Sequence, residues 1–375
     1  MNMLGKSAIL AILLTFHTTA ASAYQFAMCQ GAPLKLPTNN HTLYHNINSF
    51  PEGGYQTAIE NAVAKFNDHP SGFYYSSSST ISNELGNGFS EAWGSTDASV
   101  LKGSPAIAYM YSDCYYQADG TLVSQMKEGD IIFDYNNASN DKWLWTYNET
   151  KSDNLSYAGK KRLIQATAIH EMGHAVGLNH EAYRYNVMGA DYSHLSTNGP
   201  NALAYVGVDT GSGLRALYGE WELGHEDLGV AHWYRSGASG EYSSHSRTRI
   251  FSRSGKELTK SVIDGEPVYE VSRGNKVRVE FNFENLGKSA HVGVPVKFYI
   301  SNDETITEAD TEIGSAAVDF AVGELTLRGS QVRIPRTGVT RGSTYWLGVI
   351  VNPGGTSVSE FNLNNNKSYS RIKVK

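Results

Sequence analysis

The 375-residue chain has only two cysteines, Cys29 and Cys114, and no long block of like charge. Its 31 Lys and Arg stand against 37 Asp and Glu, for a formal net charge of −6. So mild an acidity, without basic runs, argues against nucleic acid as the main partner. Past the first residues, no apolar stretch approaches the roughly 20 residues that a membrane-spanning helix needs, so no transmembrane segment is expected in the mature chain. What the chain does have is a composition of 40% hydrophobic and 18% charged residues. That is enough to bury a core, and the length suits two domains. Tyrosine is plentiful, at 23, and Asn, Ser and Gly crowd the segments that read as loops, as in β-rich extracellular proteins.

Residues 1–23 read as a secretory signal peptide. Lys6 supplies the positive start, Ser7 to Phe16 a short apolar run, and Ala21-Ser22-Ala23 a small-residue cleavage site. The chain is therefore expected to be exported, and secreted or extracellular. In such a protein an even cysteine count points to one disulfide, Cys29 with Cys114.

The chemistry concentrates in His170-Glu171-Met172-Gly173-His174-Ala175-Val176-Gly177-Leu178-Asn179-His180-Glu181. Two histidines four apart on a helix share a face and can grip one ion. Glu171 lies about 100° around the helix, placed to reach a metal-bound water without being a ligand. Gly177 can take the left-handed conformation that ends the helix, and the turn returns His180 as a third nitrogen ligand. Three histidines and a water make the open tetrahedral set of catalytic zinc. The flanks suit a helix: Lys160 to Leu178 holds no Pro, and Ile169, Met172 and Val176 fall opposite the two histidines.

Through H-E-x-x-H-x-x-G-x-x-H the sequence resembles the metzincin zinc endopeptidases, and within them the bacterial matrixins. The resemblance implies a methionine turn under the zinc, for which Met188 in Tyr185-Asn186-Val187-Met188-Gly189 is the candidate. It implies that Pro33-Leu34-Lys35-Leu36-Pro37 is the first strand and that Gly129 to Asp134 borders the substrate cleft. It also offers a competing use for Cys29. In matrixins a propeptide cysteine plugs the zinc, and Cys29-Gln30-Gly31-Ala32-Pro33 echoes that motif without its preceding Arg. Tyr192 lies four residues past Met188, where an oxyanion-stabilising Tyr in some metzincins lies two past, and it is given no role. Glu181 is read as a structural contact.

Along the chain, Ala58, Ile59, Ala62, Val63 and Phe66 predict a helix from Gly54 to Asn67, ended by His69-Pro70. Short strands are expected between Phe73 and Phe133, separated by Ser, Asn and Gly clusters. Aromatic loops with Trp143 and Trp145 follow, and then, after the zinc helix, a closing helix over Gly211 to Leu217. After Asp227 no helix is evident. Alternating segments such as Val277 to Phe283, Val296 to Ile300 and Tyr345 to Val351 predict an antiparallel sandwich. This half resembles the immunoglobulin-like module CARDB, through Asp227-Leu228-Gly229-Val230, Phe281 to Gly287, Ser301 to Asp303, Ile306 to Thr311 and Val358 to Asn366, with Trp233 to Lys260 as an insertion. Arg247, Arg249 and Arg253 in that insertion read as charges on a solvated hairpin. Asp303 and Asp310 could join a calcium site, but their spacing is not that of an EF-hand and turn formation is the preferred reading.

The expected architecture is a signal peptide (1–23), an α+β metzincin-type catalytic domain (24–222) with a mixed twisted sheet plus zinc helix, and an all-β immunoglobulin-like sandwich (223–375). The expected activity is zinc-dependent hydrolysis of peptide bonds in proteins or peptides. His170, His174 and His180 would hold one Zn2+ and Glu171 would act as general base, with the sandwich as a targeting or substrate-holding module. The alternative is a surface-adhesion or glycan-binding protein with an ancillary protease domain.

Overall fold

In a computed structural model, the described residues are 24–51, 53–135, 145–181, 185–189, 194–221, 225–235 and 245–375. The expected signal peptide at 1–23, Trp143 and Tyr192 lie outside them. Among the described residues, no helix is long and apolar enough to cross a membrane.

The first half is a five-stranded mixed sheet backed by helices. Its strands are β1 (Asn40–Asn46), β2 (Tyr74–Thr80), β3 (Ser90–Ser95), β4 (Ala106–Tyr116) and β5 (Leu122–Asp134), in the spatial order β2-β1-β3-β5-β4. All neighbours are parallel except β4, which runs antiparallel to β5 at the edge. The edge is thus held by β4. The Gly129 to Asp134 stretch lies one strand in, where Gly129 meets the helix that carries His170 and His174: a Cβ there would stand 2.6 Å from Ala175 Cβ.

Helix α1 (Tyr55–Phe66) forms where its apolar spacing predicts, burying Ala58, Ile59, Ala62, Val63 and Phe66. Helix α2 (Ile164–Ala175), which carries His170 and His174, is shorter than the Pro-free run, because Arg162–Leu163 pairs as strand with Trp145–Thr146. Rather than one apolar stripe it buries most of its circumference. Helix α3 (Gly207–Tyr218) starts four residues before the expected closing helix. The Pro33 to Pro37 segment is not a strand of the main sheet. Ala32–Pro33 pairs with Met28–Cys29, and Leu34 and Leu36 sink into the core while the Leu36 N–H donates to Tyr218 Oη at 3.0 Å. Cys29 and Cys114 form a disulfide with Cα atoms 5.6 Å apart, so the Cys29 sulfur is bonded to β4 rather than facing the histidines.

The second half is a two-sheet β-sandwich. One sheet centres on β12 (Lys276–Asn285), flanked by β15 (Leu325–Arg333) on one side and, end to end, by β6 (Leu228–Ala231) and β9 (Ile250–Ser252) on the other. The second sheet has the order β10 (Lys260–Ile263), β11 (Glu266–Val271), β17 (Lys367–Val374), β16 (Thr344–Val351), β13 (His291–Ser301), β14 (Thr311–Phe320). Val277, Val279, Phe281 and Phe283 of one sheet and Val296, Phe298, Leu347 and Val349 of the other share a core. Between β6 and β9 lies a hairpin of β7 (Trp233–Arg235) and β8 (His245–Arg247).

The two halves are packed into each other. Ala231, Trp233, Leu286 and Leu325 belong to the same apolar cluster as the sheet and helices of the first half. Lys151 Nζ pairs with Glu304 and donates to Tyr369 Oη at 2.6 Å. Arg247 is not on a solvated face: its guanidinium lies 3.3 Å from the Trp233 ring centroid and 4.2 Å from that of Tyr157, and donates to Ser156 O at 2.7 Å. Arg249 pairs with Glu280 at 3.4 Å, while Arg253 lines an open cavity of about 750 Å³ with Lys276 and Arg333. Asp303 and Asp310 close turns, accepting from the N–H groups of Thr305 and Thr307 at 2.9 and 2.8 Å.

Candidate metal centre

His170 and His174 project from the last turns of α2, and the chain then reverses at Gly177. That residue has φ +101°, and a Cβ on it would stand 2.2 Å from Leu34 O, so glycine is demanded by both conformation and space. The reversal is clamped by the N-terminal segment: Ala27 N–H donates to Gly177 O at 2.9 Å, and Gln25–Phe26 pairs with Leu178–Asn179. His180 follows directly.

The three Nε2 atoms converge, with separations of 3.1 Å (174 to 170), 3.1 Å (174 to 180) and 3.2 Å (170 to 180). His170 Nδ1 is 2.6 Å from Val187 O and His174 Nδ1 is 2.9 Å from Leu178 O. A carbonyl can only accept, so both Nδ1 atoms carry the proton and both Nε2 atoms present lone pairs. Lone pairs aimed at one another at 3.1 Å repel, unless a cation sits between them. Tetrahedral zinc, with bonds of about 2.0–2.1 Å to nitrogen, sets its ligands about 3.3 Å apart. The donor set and its spacing therefore fit zinc, and among the described residues this is the one cluster of His, Cys, Asp or Glu that could hold a metal ion. Burial, and behind it the neighbouring imidazoles, push His170 well below its usual range and keep it neutral.

Glu171 is buried beside the histidines. Burial pushes its carboxyl up to about 8, against the pull of a hydrogen bond from the Ala108 N–H and of Arg162. Ala108 belongs to the edge strand β4, so the same strand that ends the sheet orients the acid.

Met188 lies beneath the centre. Its Sδ would be 2.4 Å from a Cβ on Gly173, so the thioether occupies the space that glycine vacates on α2. The loop carrying it is tied on both sides. Met188 N–H donates to Asp209 Oδ2 at 3.2 Å, Glu181 N–H donates to Met188 O at 3.1 Å, and Asn186 Nδ2 donates to Glu181 O at 3.2 Å. Glu181, next to the third histidine, is buried in this structural role. Burial pushes the Asp209 carboxyl up to about 7, opposed by the N–H groups of Thr210, Met188 and Val187.

The structure thus brings His170, Glu171, His174, His180 and Met188 together. Sequence reasoning missed Ala108, Asp209 and the rings around Tyr185. Ala108 acts only through its backbone, and Asp209 sits in a helix whose start the glycines obscure; neither advertises itself in one dimension.

A family model described as matrixin matches residues 114–219, which span the strand β5 and all three histidines. It supports a metallopeptidase. Comparison with curated proteins finds no match. Among solved structures, the sequence shows 18% identity to the CARDB domain of a protein from Pyrococcus furiosus, over 41% of this chain and 97% of that one, with a TM-score of 0.25. A Niemann-Pick type C2 protein from Japanese carpenter ant is 7% identical over 41% and 94% of the two chains, with a TM-score of 0.21. An AA10 lytic polysaccharide monooxygenase from Streptomyces lividans is 13% identical over 32% and 62%, with a TM-score of 0.18.

Proposed function

We propose that this chain is an exported metzincin-type zinc endopeptidase in which Glu171 is the general base. The observation that carries the reading is the convergence of three Nε2 lone pairs, two of them fixed in tautomer by backbone carbonyls, beside a buried carboxyl. When bound there, zinc would acidify a water molecule and polarise a scissile carbonyl. His170, His174 and His180 would hold it and leave one side open. Glu171 takes the proton of the attacking water and returns it to the departing amine. A carboxyl raised by burial is matched to both halves of that task. The Ala108 N–H holds that carboxyl in orientation. As one edge of the main sheet, and the one that carries Ala108, β4 offers backbone groups along which an extended peptide can lie.

The test is cleavage of a loosely folded protein such as casein by residues 24–375, beside Glu171→Ala. Cleavage by the parent should disappear with a chelator and fall by at least about 100-fold in the variant, the usual scale for a general base. A parent that holds one zinc per chain and cleaves neither casein nor a peptide library overturns the proposal. So does a variant as active as the parent.

A further inference from the structure

The geometry points to a second role for the β-sandwich: its hairpin residue His245 and its strand residue Glu284 are positioning residues for the metal centre, holding from behind the loop that fixes His170. This rests on the proposed function, in that the histidines are taken as zinc ligands.

The chain of contacts is continuous. His170 takes its tautomer and orientation from Val187 O. Val187 lies in the loop Tyr185 to Gly189, whose anchor is the Tyr185 ring, fully buried. One face of that ring stacks on His194 at 4.5 Å and 24°. His245 of β8 packs against it edge-on at 4.7 Å and 69°. His194 is in turn covered by Tyr205 at 4.4 Å, and Tyr205 Oη donates to Glu284 Oε2 on β12 at 2.8 Å. The Tyr185 hydroxyl accepts from Leu195 N–H at 2.9 Å, which fixes the ring in its own plane. Two residues of the sandwich therefore close a stack of three rings on which the loop rests.

Two features separate this from ordinary interface packing. Glu284 is a completely buried carboxyl, and His245 and His194 are buried imidazoles; an interface selected for stability alone would be apolar there. And the stack ends on the loop whose carbonyl orients His170, where the partner of a metal-bound histidine commonly governs metal affinity by 10–100-fold.

The experiment uses the full mature chain, residues 24–375. Zinc dissociation constants are measured by competition with a chromophoric chelator, alongside melting temperature, circular dichroism and kcat/KM on casein. His245→Ala should weaken zinc by about tenfold, and His245→Phe, which restores a ring edge against Tyr185, should recover most of it. Val349→Ala, in the sandwich core, which includes none of the stacked residues, should lower the melting temperature while zinc affinity stays at the parent value. That contrast distinguishes positioning from general loss of stability. If His245→Ala does not fold, Tyr205→Phe decides instead, since it deletes only the hydroxyl that reaches Glu284. Parent-like zinc affinity in the folded variant overturns the inference, as does a loss shared by Val349→Ala. A parent that binds no zinc overturns the proposed function itself; a parent that binds zinc beside unmoved variants overturns only the positioning role.

Discussion

A methyl group at position 173 would stand 2.4 Å from Met188 Sδ and 3.0 Å from its Cε. In an unconstrained helix, glycine to alanine gains up to about 1 kcal/mol, so the sign here depends on whether Met188 can move. Its side chain is 1% exposed, and its backbone is held by Asp209 on one side and Glu181 on the other. Overpacking in such a place costs about 1–3 kcal/mol, which outweighs the helix gain. Gly173→Ala should therefore lower stability by a net of up to about 2 kcal/mol in chemical denaturation. It should also weaken zinc, because the displaced loop carries the carbonyl that orients His170. A variant more stable than the parent, with unchanged zinc affinity, would show that the thioether yields. The HExxH motif makes the candidate ligands legible; it does not say that the glycine between them is a socket for a methionine.

At the scale of elements, β12 shows how far an alternating pattern can be read. Val277, Val279, Phe281 and Phe283 face the sandwich core as the alternation predicts. The intervening Glu280, Asn282 and Glu284 are polar, yet all are buried: Glu280 pairs with Arg249 and Arg278, Asn282 donates to Trp233 O, and Glu284 lies under Tyr205 of the first half. Period-two alternation tells which residues share a face and is silent on what covers it. The Ser76 to Ser79 run of β2 misleads in the opposite direction. It reads as a loop, but becomes a strand because parallel pairing with β1 satisfies its backbone, and the Ser76 and Ser77 hydroxyls are hydrogen-bonded to Thr42 and His45. The buried face of β12 has a measurable consequence. Burial pushes Glu284 up to about 8, despite its hydrogen bond from Tyr205. Between the ordinary glutamate range and pH 8 the folded chain keeps this proton while the unfolded chain releases it, so the stability contribution is lost as pH rises across that window and is level beyond it. One proton corresponds to a slope of about 1.4 kcal/mol per pH unit. Glu284→Gln keeps a neutral side chain of similar shape, so its stability should gain on the parent steadily from about pH 5 to pH 8. Parallel pH profiles for the two proteins in urea titrations would show that Glu284 is ionised in the folded state.

For the whole molecule, the question is whether a chain whose sequence reads as two domains also unfolds as two. A boundary near residue 222 is expected from the sequence, where helical spacing gives way to alternation, but spacing carries no information about the surface that the halves share. That surface is not the loosely packed kind that lets domains move independently. Apolar side chains from both halves form one cluster, Lys151 is bound by Glu304 and Tyr369, and Arg247 is clasped between Trp233 and Tyr157 with its charge satisfied by Ser156 O. Separating the halves would expose this apolar area and strand a guanidinium that water now cannot reach freely, whereas either half unfolding alone would do the same to its neighbour. Cooperative coupling is the consequence: calorimetry of residues 24–375 should give a single transition, with calorimetric and van't Hoff enthalpies in agreement. Arg247→Ala removes the cation that both rings enclose while leaving each separate core intact. It should lower the midpoint and open a gap between the two enthalpies, as the halves begin to melt apart. Two transitions already present in the parent would mean that the shared surface is too weak to transmit stability, and the sandwich could then be removed without cost to the metal centre.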